Sequence, residues 1–94
     1  YFLTKLKSME DAEGQSVLDN SMIVYGCGIA DGNSHKHHDL PLLLAGHGGG
    51  TLEPGRHLDF QGEVPLSNLY VAMLDKVGAK VSKLGDSTGK LPKI

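Results

Sequence analysis

Residues 21–50 read SMIVYGCGIADGNSHKHHDLPLLLAGHGGG, two apolar runs held apart by a histidine-rich segment and closed by glycines. Met22, Ile23, Val24, Tyr25 and Ile29 form the first run, rich in β-branched residues, which predicts a buried strand. The second run, LPLLLAG, predicts another, with Pro41 confined to its first residue because proline has no N–H to give to a ladder. Neither run alternates with polar residues, so the expected sheet is covered on both faces. The reading that follows is α/β: part of a mixed or parallel sheet flanked by helices.

Helices are expected on either side of this segment. Phe2, Leu3, Leu6 and Met9 fall at helical spacing, so an amphipathic helix is predicted to about Ala12, with Gly14 ending it. YFLTKLKSM reads as a helix already under way, without a capping residue before it. Residues 1–94 are therefore expected to be a single C-terminal fragment of a larger α/β domain. Leu66, Leu69, Tyr70, Met73, Leu74 and Val77 give the strongest helical period in the chain, and Gly78 supplies its stop. Between the second strand and that helix, GHGGGTLEPGRHLDFQGEVP reads as loop and turn, with a short hairpin expected around RHLDF.

Composition narrows the function classes. Hydrophobic residues make up 39% and charged residues 21% of the 94, the balance of a globular domain rather than a disordered or membrane chain. A formal net charge of -2 without a basic cluster predicts no nucleic-acid partner. No apolar stretch is long enough to span a bilayer. Cys27 is the single cysteine; among apolar neighbours it reads as a small buried thiol rather than a nucleophile.

Chemistry concentrates in residues 31–50, which hold four of the five histidines. Asp31, His35, His37, His38 and Asp39 supply carboxylate and imidazole, the ligands of zinc and similar divalent ions. No H-E-x-x-H or C-x-x-C spacing fixes their geometry, so a solvated polar turn is the competing reading. The glycines Gly48, Gly49 and Gly50 suit either a turn or a nest of amides around an anion. Arg56 and His57 could grip a phosphate, sulfate or carboxylate. HGGG together with Gly85-Asp86-Ser87-Thr88-Gly89 has the look of an esterase oxyanion loop and nucleophile elbow. Residues 90–94 contain neither an acid nor a histidine to complete that triad in order, and Asp and Ser between glycines ordinarily make a turn.

Four blocks in order, VLDNSMIVYGCGIADGNSH, HHDLPLLLAGHGGGTLEPGRHL, PLSNLYVAMLDKVG and GDSTG, together resemble the C-terminal portion of a bacterial family of unknown function. That family is named for an H-x-x-S-H-H motif and is abundant in planctomycetes and related bacteria. The resemblance implies that the naming motif lies upstream of Tyr1 and that the protein is exported or periplasmic. More remotely, the family is similar to the alkaline phosphatase and sulfatase superfamily, whose α/β domain binds metals with Asp and His at strand ends. Carried over, Asp31 matches a first metal ligand and His35, His37 or His38 a later one, while Gly32 stands where that superfamily has a histidine. The implied protein is a metal-dependent hydrolase of phosphate or sulfate esters, its cofactor a divalent metal such as Zn or Mn. The implied partners are the remainder of its own chain and, through uncovered apolar surface, a second copy of these residues. The alternative is a non-catalytic binding or structural module with a His/Gly-rich loop.

Overall fold

The computed structural model describes residues 1–28, 33–34 and 40–94. These residues form a mixed α/β structure of two helices and a two-stranded antiparallel sheet. In chain order the elements are α1 (Phe2–Ser8), β1 (Ile23–Gly26), β2 (Leu42–Ala45), a 3-10 turn (Gly48–Gly50) and α2 (Ser67–Lys76). They fall into two compact units, Tyr1–Gly50 and Thr51–Ile94.

In the first unit, α1 ends at Ser8, several residues before the stop that the apolar period suggests. The backbone turns extended at Met9, and Glu10 bridges to Ser16. Asp11 then captures the backbone: its Oδ1 accepts the amides of Glu13 at 2.9 Å and Gln15 at 3.0 Å. A short acidic side chain that satisfies nearby N–H groups competes with helix continuation, and here it wins.

The strands pair with Ile23 opposite Ala45 and Gly26 opposite Leu42. Both lie where the apolar runs predict strands, and their relation is antiparallel. The expectation of a sheet covered on both faces is not met among the described residues. Tyr25 is 75% exposed and its register partner Leu43 is 67% exposed. An antiparallel pair tolerates one solvated face, whereas a parallel sheet requires helices on both.

Beyond β2 the chain must turn sharply, and Gly46 makes the turn at φ +100. A Cβ there would stand 2.0 Å from the carbonyl oxygen of Ser21, so no side chain fits. The following loop docks on the turn that precedes β1: His47 N–H donates to Leu18 O, Gly48 N–H to Ser21 O and Gly49 N–H to Asp19 O.

The second unit holds all four buried apolar side chains among the described residues, Leu52, Leu69, Val71 and Ala72. α2 forms where its period predicts. It ends in a Schellman arrangement, with Gly78 at φ +83, Ala79 N–H donating to Leu74 O and Gly78 N–H to Asp75 O. Its rotation, however, differs from the apolar stripe. The buried arc is Asn68, Leu69, Val71 and Ala72, while Val77 is 66% exposed and Tyr70 37%. At 3.6 residues per turn the line through Asn68, Val71 and Ala72 lies roughly half a turn from that through Leu66, Tyr70, Met73 and Val77. Leu69 belongs to the edge that both share. The hairpin expected around RHLDF is likewise not seen; residues 56–60 carry no paired strand.

Val77→Ala separates the stripe from the buried arc, with the shared Leu69 as its reference. Leu69→Ala should cost about 2–5 kcal/mol, whereas Val77→Ala should change stability by less than about 0.5 kcal/mol. Urea unfolding followed by far-UV circular dichroism measures both, and equal losses would place the helix in the other rotation.

Candidate functional site

The expected metal ligands Asp31, His35, His37 and His38, with Asp39, lie outside the described residues. What the structure does give is where their segment is anchored. Residues 27–41 join β1 to β2, and the chain leaves and returns at one register pair, Gly26 opposite Leu42. The two ends of the segment are therefore anchored side by side at one end of the ladder. Cys27, at its start, is exposed, which corrects the buried thiol expected from its apolar neighbours: β1 stops at Gly26, so the cysteine has already left the strand.

The glycine loop sits at the opposite end of the same ladder, beyond the Ile23–Ala45 pair. With a rise of about 3.4 Å per residue, the strands put about 10 Å between the two ends. The three amides that an anion nest would use donate instead to carbonyls: Gly48 to Ser21 at 3.0 Å, Gly49 to Asp19 at 2.8 Å and Gly50 to His47 at 2.9 Å. His47 is exposed beside them.

In the second unit, Arg56 faces backbone oxygen. Its Nε donates to Glu53 O at 2.9 Å and its Nη1 to Lys93 O at 2.7 Å, with the Glu53 carboxylate 3.8 Å away. The guanidinium thus ties residue 53 to residue 93, and His57 beside it is exposed.

GDSTG is a clamped turn. Ser87 is buried; its Oγ accepts Leu84 N–H at 2.8 Å and its own N–H donates to Leu84 O at 3.0 Å. Asn68 holds the next residue from both sides, its Oδ1 accepting Thr88 N–H at 2.8 Å and its Nδ2 donating to Thr88 Oγ1 at 3.0 Å. Asn68 O accepts Leu91 N–H at 3.1 Å, and Ser67 Oγ donates to Asp86 Oδ1 at 2.7 Å. The turn reading of this stretch agrees with these bonds, and a serine so enclosed is not presented for attack. Ser67 and Asn68 are positions that the apolar period does not mark. Their signal was available, since Ser and Asn directly after Pro-Leu and before an apolar period belong to a helix start. Neither caps the helix through its side chain; both reach across to the 86–88 turn.

Two carboxyl groups are held below their ordinary pKa. The amides of Gln15 and then Glu13 lower the pKa of Asp11, aided by the Asn20 side-chain amide. The Lys90 ammonium, 3.0 Å from Oδ2, does the same for Asp75, with Lys80 and Lys76 adding smaller attractions.

Among the described residues no three His, Cys, Asp or Glu side chains are grouped to hold an ion, and no helix is long and apolar enough to cross a membrane. No family model, curated protein or solved structure matches the chain.

Asn68→Ala should destabilise the protein by about 1–3 kcal/mol, because it leaves the Thr88 amide without its acceptor. Amide exchange at Thr88 and Leu91, read by NMR, should accelerate together; acceleration at neither would remove Asn68 from its place as the clamp.

Acid supplies a second test. Because the folded Asp11 has a lowered pKa, its stabilisation is complete above its ordinary value of 3.8 and fades as pH falls through the lower folded value. Asp11→Asn keeps an oxygen for the two amides but removes the titration. Its thermal midpoint should therefore vary less than that of the parent between about pH 5 and pH 2, and parallel curves would show that Asp11 carries none of the acid sensitivity.

Proposed function

We propose that the β1–β2 connection is a divalent-cation site, with Asp31 and His35 as ligands helped by His37 or His38, in an exported metal-dependent hydrolase of phosphate or sulfate esters. In this reading the chain is part of an alkaline-phosphatase-like α/β domain whose sheet extends beyond the two strands described. The observation that carries the proposal is the pairing of Gly26 with Leu42. It ties the two ends of the loop, so the entropy of gathering its side chains is already partly met by the ladder. One carboxylate and several imidazoles within such a loop match the donor preferences of Zn²⁺ and, less selectively, Mn²⁺. A bound ion would polarise an ester oxygen or acidify a water. The resemblance, which covers essentially all 94 residues, supports the ester class. Gly48, Gly49, Gly50, Arg56 and His57 contribute to anion binding only if the bonds that now hold them are exchanged.

A second reading, a non-catalytic binding or structural module, draws on a different observation. Asn68, Ser87 and Arg56, polar side chains of a kind often used in catalysis, are spent on holding loops in the second unit.

Titration calorimetry of Zn²⁺ and Mn²⁺ into metal-free protein distinguishes the two. Binding by the parent that His35→Ala or Asp31→Ala weakens at least tenfold supports the cation site. No heat of binding in a sample shown to be folded overturns it and leaves the module.

Uncovered apolar surface also bears on partners. Tyr25 and Leu43 on the sheet, and Tyr70 and Val77 on α2, are exposed, and such surface favours association. Sedimentation velocity should show a second copy bound as concentration rises, and a monomer throughout would refute self-association.

A further inference from the structure

We draw no further inference here: the strongest candidate, the exposed apolar face of α2 along Tyr70 and Val77, has nothing in the structure to show what covers it.

Discussion

The second unit depends on a buried amide. Asn68 lies at 7% exposure among Leu69, Val71 and Ala72, where an unpaired polar group would cost several times what a hydrogen bond contributes. It is tolerated because its side chain and carbonyl together take up Thr88 and Leu91. That requirement sets the rotation of α2. Once Asn68 must face the 84–91 tail, helical geometry carries Val71 and Ala72 inward with it and turns Tyr70 and Val77 outward. Hydrogen bonding thus overrules the apolar stripe, which is affordable only where the core is small.

The same economy governs the first unit, where no described side chain is fully buried. Its loops are fixed by carbonyls that receive amides from a local turn and from distant residues: Leu18 from nearby Ser21 and from His47, Ser21 from Gly48, Asp19 from Gly49. Gly46 is the residue that lets those partners meet, since any Cβ would strike Ser21. Asp11 performs the corresponding service at the end of α1. A fold built this way has many directional contacts and little apolar burial, so its local openings are set more by particular hydrogen bonds than by a common core.

Much of the element content was legible in the sequence. The IVY and LLLA runs announced strands and the period from Leu66 announced a helix, with Gly78 as its stop, because those features depend on local backbone preference. The sense of strand pairing was not legible, since continuous apolar runs fit either sense and nothing local to them chooses. Nor was the rotation of α2, because counting apolar residues gives Asn68 no weight in a core. Asp11 shortened α1 through side-chain bonds that a hydrophobic period does not register. Arg56 read as an anion ligand from its residue type, yet its partners Glu53 and Lys93 are carbonyls far apart in sequence. The GDSTG turn was legible because its chemistry is local.

For the candidate site, the histidine-rich composition was legible in the sequence, and the pairing of Gly26 with Leu42 comes from the structure. Antiparallel pairing puts Gly26 and Leu42, which flank the histidine-rich segment, and the glycine loop at opposite ends of one ladder, a separation that their closeness in sequence conceals. A cation held near the Gly26–Leu42 end and an anion held by Gly48–Gly50 would then be independent features rather than two halves of one centre. The glycine amides point to the same division, since Gly48 and Gly49 already donate to the turn before β1 and Gly50 to His47. The proposed cation chemistry would therefore rest on Asp31 and His35 without help from the glycine run, as long as its amides keep these backbone partners.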